Sequence, residues 1–299
     1  MRPDLELLQG ASDIHIHSAP DVFARLFDHI DIARQARDVG MRAVLMKCHH
    51  QGTADRMPLV RRFVTGIDVF GSLNLNHSVG GLNPYAVETA IRYGAKKIFM
   101  PTVDARHHAE VTGVKGGYKG IAMEEVGEGN DAAAAFTARP PIEIAGEDGK
   151  VKPALYDILD LIATAGIILS CGHLSPPEIQ ILAAAARERR VRKVVIDHPF
   201  WLKIPFTLQE ELARAGAWLN YTFMEISPRW WTLPVGEMAE AIGKIGPGRV
   251  VISSDAGQLH NPPPAEALRI FIEILLEEGL PPKAIRRMVQ SNPADLLYG

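Results

Sequence analysis

The chain has 299 residues, of which 47% are hydrophobic and 22% charged, so it can bury a large core as one α/β barrel or as two smaller domains. A formal net charge of -3 and a pI near 6.4 show no basic excess, which argues against nucleic acid and anionic membranes as partners. Two cysteines are too few for a disulfide framework, and the sequence shows neither a secretory leader nor a bilayer-spanning run, so we expect a cytoplasmic protein.

Short apolar runs alternate with amphipathic stretches along the chain. The runs, most of them rich in Val, Ile or Leu, predict eight strands at residues 12–17, 43–47, 69–74, 97–102, 167–171, 193–197, 218–222 and 249–253. The stretches predict helices at residues 30–39, 83–93, 154–165, 177–190, 208–215, 235–245 and 264–278. Eight buried strands, most of them followed by a helix, favour an α/β fold of the (β/α)8 TIM-barrel type, in a single domain over residues 1–299.

One long segment, at about residues 104–152, interrupts this alternation. It is rich in Gly and acidic residues, and it contains an alanine run at residues 132–135 that is followed by Pro140 and Pro141. Irregular segments of this length are uncommon in compact domains, where they are usually functional or disordered. We therefore expect a long loop insertion after the fourth strand, at the face of the barrel where active sites form.

The first predicted strand carries the pattern His15-x-His17. Side chains at positions i and i+2 of a strand point to the same face, so these two imidazoles can reach one metal ion. Three further ligand-type residues follow the fifth, sixth and eighth strands, namely His173, His198 and Asp255. Each alone can be an ordinary loop residue or a helix cap. Their convergence on the catalytic face of one predicted barrel indicates a divalent metal site.

This order of ligands along the strands resembles the amidohydrolase superfamily of metal-dependent hydrolases. The ending Gln-Ser-Asn-Pro-Ala-Asp-Leu-Leu at residues 290–297 is similar to the Asn-Pro-Ala tail common in its members, so the likeness spans nearly the whole chain. The resemblance implies that His15, His17 and Asp255 hold one ion and that Asp255 accepts a proton from the attacking water. It also implies that His173 and His198 hold a second ion or orient that water. Because the superfamily includes hydrolases, deaminases and decarboxylases, it suggests the site and not the substrate.

The chemistry of these residue types supports the same assignment. A cation held by imidazoles and a carboxylate lowers the pKa of its bound water from about 15.7 toward about 7, so water is the expected nucleophile. Asp255 is suited to carry the proton to the leaving group. No serine lies in a Gly-x-Ser-x-Gly pattern, which disfavours covalent catalysis. Zinc is the expected metal, as one or two ions, while Mn and Fe accept the same ligands.

The fourth strand lacks, at its end, the carboxylated lysine or glutamate that bridges two metals in many amidohydrolases. Lys47, on the second strand, is the substitute candidate and a candidate catalytic residue, because an ammonium in an apolar strand is costly unless it is paired or neutral. A neutral Lys47 can be carboxylated, and a charged one can donate to a substrate oxygen. The alternative is an ordinary lysine that extends into solvent. Asp104 is a further alternative ligand.

Polar and aromatic residues after other strands are candidates for substrate binding. An arginine near the metal suits a carboxylate or a phosphate, which makes Arg25 and Arg106 candidates. Trp230 can form a wall for a planar group, with Trp201 opposite, or it can pack between the barrel and its helices. His49 and Asn76 are the other main candidates for substrate binding. Further polar or aromatic residues at or after the ends of predicted strands are Asp21, Asn74, His77, His107, His108, Glu225, Arg229 and Trp231.

Together these patterns predict an enzyme, a metal-dependent hydrolase that uses a metal-activated water to cleave an amide, lactone or related carbonyl bond of a small soluble substrate. The alternatives are a decarboxylase of the same superfamily and a phosphoester hydrolase. Outside the enzymes, the alternative is a metal-binding barrel subunit without turnover. We also expect a homo-oligomer that associates with neither nucleic acid nor membranes.

Overall fold

The computed structural model describes residues 2–113, 139–146 and 149–299. Within them, eight parallel strands form one sheet in which each strand pairs with the next along the chain. The strands are β1 (Ser12–His17), β2 (Ala43–Lys47), β3 (Asp68–Asn74), β4 (Lys97–Phe99), β5 (Ile168–Ser170), β6 (Val194–Asp197), β7 (Trp218–Thr222) and β8 (Val250–Ser253). Backbone hydrogen bonds from Asp255 to His15 and from His17 to Ala256 bring the end of β8 back to β1. The predicted (β/α)8 barrel is confirmed.

Helices surround this sheet. Their bounds are α1 (Pro3–Leu8), α2 (His29–Asp38), α3 (Met57–Phe63), α4 (Pro84–Arg92), α5 (Arg106–Thr112), α6 (Pro153–Ala165), α7 (Pro176–Glu188), α8 (Phe206–Arg214), α9 (Phe223–Ile226), α10 (Val235–Ile245), α11 (Pro264–Glu277), α12 (Pro282–Arg286) and α13 (Asn292–Tyr298). The long helices bury one apolar stripe against the strands, as α6 does with Leu155, Ile158, Leu159 and Ile162. In the part of the chain that the structure describes, no helix is long and apolar enough to cross a membrane.

Each observed strand overlaps its predicted position, whereas several short helices were not predicted from the sequence. One of them, α3, leaves Leu59 and Phe63 exposed, so its sequence lacks the one-sided apolar pattern that predicts a helix. Another, α5, lies inside the segment that the sequence predicted to be irregular. The alanine run of that segment, at residues 132–135, lies outside the described residues.

The interior of the barrel changes from apolar to charged along the strands. An apolar cluster that extends from the N-terminal end into the middle of the barrel consists of Ile14, Ala43, Leu45, Phe99, Ile168, Val195, Val251, Leu296 and Leu297. The last two belong to α13, which closes this end. Lys47 and Asp197 follow two residues after Leu45 and Val195, on the same face of their strands, and both are buried. Polar groups are therefore concentrated at the C-terminal end of the barrel, where the predicted site lies.

Gly257 lets the loop after β8 approach β1 closely. Its φ is 126°, and a Cβ at this position would overlap the backbone carbonyl of His17. The Gly257 carbonyl also accepts a hydrogen bond from Leu26 at 2.9 Å. The loop that carries Asp255 is thereby held against the strand that carries the two histidines.

We expect Gly257→Ala to lower the free energy of unfolding by about 2–4 kcal/mol, because it adds a steric overlap to an unfavourable φ. Gly94 is the matched control, since its φ is 88° but no atom lies within 4 Å of an added Cβ. Gly94→Ala should cost only about 1–2 kcal/mol. Urea unfolding followed by circular dichroism measures both values, and equal losses would contradict the role of the overlap.

Candidate metal centre

The two histidines of β1 meet Asp255 at the C-terminal end of the barrel. Their Nε2 atoms lie 3.2 Å (His15) and 3.1 Å (His17) from the same atom, Oδ1 of Asp255. All three side chains are buried. Two imidazole nitrogens and a carboxylate oxygen in this arrangement are a donor set that divalent cations prefer. The structure thus brings together the three residues that were expected to hold one ion.

His198 lies beside this group. Ligand atoms of His198, His15 and Asp255 all lie within 4.8 Å of one another, which is close enough for one ion. The Nδ1 atoms of His198 and His17 are buried and, within the described chain, have no hydrogen-bond partner. Buried polar atoms are normally satisfied. The unpartnered Nδ1 of His198, added to the donor set, fits a residue that holds a cation. For His17 the atom that faces Asp255 is Nε2, so its unpartnered Nδ1 is not the candidate ligand atom.

His173 is the fifth predicted ligand, and it stands on the other side of His198. The two ring centroids are 5.0 Å apart. Nδ1 of His173 lies 2.8 Å from Nδ1 of His108, and the two rings stack. One nitrogen of His173 is therefore engaged with His108, and Nε2 is the atom left for a metal or a substrate.

The backbone at His198 and Asp255 is unusual. Both residues have positive φ, 38° for His198 and 49° for Asp255, a conformation that costs non-glycine residues about 1–2 kcal/mol. Backbone hydrogen bonds from His198 to Asn220 and from Asp255 to His15, at 2.8 and 2.9 Å, hold these conformations. Such strain is concentrated at functional sites, where it aims side chains.

Burial keeps the histidines of the site neutral. It lowers the pKa of His15 and of His17 well below the usual value, and the nearby charges of Lys47 and Arg25 add to the effect. Burial also lowers the pKa of His198 to about 3. The neutral imidazole is the form that binds a metal, so no proton has to be displaced from these histidines at neutral pH.

Asp197 holds His15 in place. Its Oδ1 accepts hydrogen bonds from His15 Nδ1 at 3.0 Å, from Lys97 Nζ at 2.9 Å and from Asn220 Nδ2 at 2.7 Å. Its Oδ2 accepts one from Ser170. Because Asp197 accepts the Nδ1 proton of His15, His15 Nε2 carries the lone pair, and Lys47 Nζ and Asp255 Oδ1 lie 2.8 and 3.2 Å from it. Burial raises the pKa of Asp197, but Lys97 and His15 outweigh it and hold that pKa well below its usual range.

Sequence reasoning did not assign a role to Asp197 or Lys97. A signal was present, since both are charged residues within strands whose other residues are apolar. A charge in a buried strand needs a partner, but the sequence does not show that these two residues are each other's partner across the barrel.

Lys47 is buried at the centre of the site, with 1% of its surface exposed, and does not extend into solvent. Its Nζ lies 2.8 Å from His15 Nε2 and 4.7 Å from the centre of the Phe99 ring. Burial lowers the pKa of Lys47, while the charges of Asp255 and Asp197 oppose that change. The ammonium is therefore a hydrogen-bond donor placed directly among the candidate metal ligands.

Of the predicted substrate-binding residues, His49 lies next to this centre, and Arg25 lies in the loop after β1, where its backbone pairs with Gln258. The ring of His49 is 4.8 Å from that of His17 and 5.9 Å from that of His173, and its Nδ1 is 2.8 Å from Thr102 Oγ1. The Arg25 side chain is 4% exposed and forms an ion pair with Asp21.

The other three predicted substrate-binding residues are engaged elsewhere. Asn76 donates to the His49 carbonyl and to Thr102 Oγ1, and accepts from the Thr102 backbone, so it orders the loops that carry His49. Arg106 is 53% exposed and pairs with Glu143. Trp230 is half-buried and packs edge-on against Trp201, with ring centroids 6.4 Å apart. The structure thus places none of the three against the candidate ligands.

The tryptophan that contacts the site is Trp201. Its ring centroid lies 4.8 Å from that of His173 and 5.3 Å from that of His198. The buried carboxyl of Glu225 accepts the backbone N–H groups of Trp201 and Thr222, which ties the loop after β6 to the end of β7. Glu225 therefore fixes an apolar wall over the two histidines.

Solved structures with the same architecture include proteins described as amidohydrolases and a probable dipeptidase. An amidohydrolase from Pseudomonas aeruginosa has a TM-score of 0.64 at 12% identity, with 99% of this chain and 98% of that chain covered. The probable dipeptidase PvdM from the same organism has a TM-score of 0.62 at 11% identity, with coverage of 98% and 96%. An amidohydrolase from Burkholderia multivorans with bound zinc has a TM-score of 0.55 at 11% identity, with coverage of 96% and 98%.

At these identities the likeness shows the fold alone, and that fold is the (β/α)8 barrel that the alternation of strands and helices predicted. The chain itself belongs to a family of unknown function (DUF6282), which it matches over residues 10–220. No curated protein matches it significantly.

Proposed function

We propose that this protein is a metal-dependent hydrolase that cleaves an amide, lactone or related carbonyl bond of a small molecule. The observation that carries the proposal is the convergence of the Nε2 atoms of His15 and His17 on Oδ1 of Asp255, with His198 within reach of the same point. The amidohydrolase fold, including a relative crystallised with zinc, supports it. His15, His17, His198 and Asp255 would hold the ion, and zinc suits this mixture of nitrogen and oxygen ligands.

When bound, a divalent ion would lower the pKa of a water and polarise the carbonyl of the substrate. Asp255 would accept a proton from the attacking water and transfer it to the leaving group, because its carboxylate oxygen lies at the point where the two histidines converge. Lys47 donates a hydrogen bond to the oxygen that becomes negative, because its Nζ lies among the ligands. Trp201 excludes bulk water from one side of the site.

Metal analysis and activity together test this function. We expect the purified protein to contain zinc or to take it up stoichiometrically, and to hydrolyse members of a panel of N-acyl amino acids, dipeptides and lactones. Chelation should abolish turnover and metal return should restore it. Mass spectrometry of the products identifies the reaction, and release of CO2 without hydrolysis would instead assign the decarboxylase alternative.

The variant His15→Ala should lose metal and turnover, because it removes a central ligand. His29→Ala is the matched control, since His29 is also a buried histidine but lies at the start of α2 and contacts Ser18 and Arg56. It should keep its metal. Full metal content and full turnover in His15→Ala would show that the site lies elsewhere.

A further inference from the structure

We propose that Arg25 binds a carboxylate of the substrate, so that the preferred substrates are amides or lactones with a free carboxylate near the scissile bond. The inference rests on the metal-dependent hydrolysis proposed above and names the substrate class for the same site.

Arg25 is fixed in one orientation before any ligand arrives. Its Nε and Nη2 atoms lie 2.8 and 2.6 Å from Oδ2 of Asp21, and the two side chains are 4% and 0% exposed. The other oxygen of Asp21 accepts hydrogen bonds from the backbone N–H of Val22, from His50 Nδ1 and from Cys48 Sγ. An arginine held in this way has already lost its rotamer freedom, so binding an anion costs little further entropy.

The Arg25 guanidinium stands at the edge of the metal centre. Its Cζ lies 5.5 Å from the centre of the Phe23 ring, and that ring is 5.9 Å from His49, which is itself 4.8 Å from His17. The backbone of Arg25 also pairs with Gln258, three residues after Asp255. Of the charged groups, Arg25 has the largest effect on His17, where it adds to burial in lowering the pKa. Arg25 therefore lies in the loop after β1 that pairs with the loop carrying Asp255, beside His49 and His17.

The free edge of Arg25 matches a carboxylate. A guanidinium has five N–H donors, and only Nε donates a hydrogen bond to Asp21. Nη2 lies 2.6 Å from the same carboxylate oxygen in an ion pair, but it is buried and has no hydrogen-bond partner in the described chain, so the end-on edge formed by the two Nη groups is left for a second acceptor. Two parallel donors on this edge fit the two oxygens of a carboxylate. A neutral substrate would leave these donors unpaired in a buried site, which selects against it.

The ammonium of Lys47 adds a second positive charge to the pocket. An anionic group between the two cations gains from both, whereas a cationic group is repelled. Asp21 beside Arg25 and Asp255 near Lys47 offset part of this positive charge, so the free edge of Arg25 carries the selection.

Pairs of zinc-binding probes test the inference on the full-length, zinc-loaded protein. The probes are the monohydroxamates of malonic, succinic and glutaric acid, each compared by calorimetry with an alkyl hydroxamate of the same length. We expect the best carboxylate probe to bind about 10- to 100-fold more tightly than its neutral partner, as for a hydrogen bond to a charged group. In Arg25→Gln this preference should fall below about threefold, while zinc content and the affinity of the neutral probe stay unchanged.

Two further variants complete the test. Arg92→Gln removes a surface arginine that also pairs with an acidic residue four positions away, and it should keep the full preference. Arg25→Lys keeps the charge without the planar fork, so an intermediate preference is expected even if Arg25→Gln fails to fold. Equal affinities in the wild type, or an undiminished preference in both Arg25 variants, would overturn the inference alone. Failure of all hydroxamates to bind zinc-loaded protein would overturn the metal centre and the inference with it.

Discussion

The Asp255→Asn variant is expected to hydrolyse its substrate about 10²- to 10⁴-fold more slowly than the wild type, because an amide cannot accept the proton of the attacking water. The amide oxygen can still face the metal, so the variant should retain metal when it is supplied in excess. Steady-state kinetics on the best substrate of the panel, with metal content measured on the same samples, separates the chemical step from metal loss.

Asp68→Asn is the matched control for this variant. Asp68 lies at the start of β3, at the opposite end of the barrel, where its carboxylate accepts a hydrogen bond from Tyr298. The Asp68→Asn variant should hydrolyse the substrate at the wild-type rate. If Asp255→Asn kept the wild-type rate at full metal content, Asp255 would not be the proton acceptor.

The Asp197→Ala variant is expected to lose about 3–5 kcal/mol of unfolding free energy, because it leaves the buried ammonium of Lys97 without its carboxylate. It also removes the acceptor that orients His15, and loss of such a partner typically weakens metal binding by about 10- to 100-fold. Guanidinium unfolding of the metal-free protein measures the first effect. Competition with a fluorescent zinc chelator measures the second.

A double variant separates these two roles of Asp197. Asp197→Leu combined with Lys97→Met removes both charges, so most of the lost stability should return. The zinc affinity should stay low, because His15 Nδ1 still lacks its acceptor. If the double variant were as unstable as Asp197→Ala, an unpaired Lys97 would not explain the loss. If its zinc affinity were normal, Asp197 would not orient His15.

The candidate ligands were predictable because each follows a strand whose pattern is recognisable locally. Buried parallel strands give continuous apolar runs, and their C-terminal ends share one face of the barrel, so His173, His198 and Asp255 could be placed near β1 without coordinates. The roles of Asn76 and Arg106 were less predictable. Position after a strand did not show that Asn76 binds neighbouring loops or that Arg106 pairs with Glu143.

The sequence by itself determined the number and order of the strands and the types of ligand at their ends, since both depend on residues that are close along the chain. Only the tertiary structure decided which charges are paired and which atoms face the candidate metal centre. Lys97, Asp197 and His15 come from three different strands and meet inside the barrel. Contacts across a barrel depend on strand register and on the direction of each side chain, and neither has a fixed spacing in the sequence.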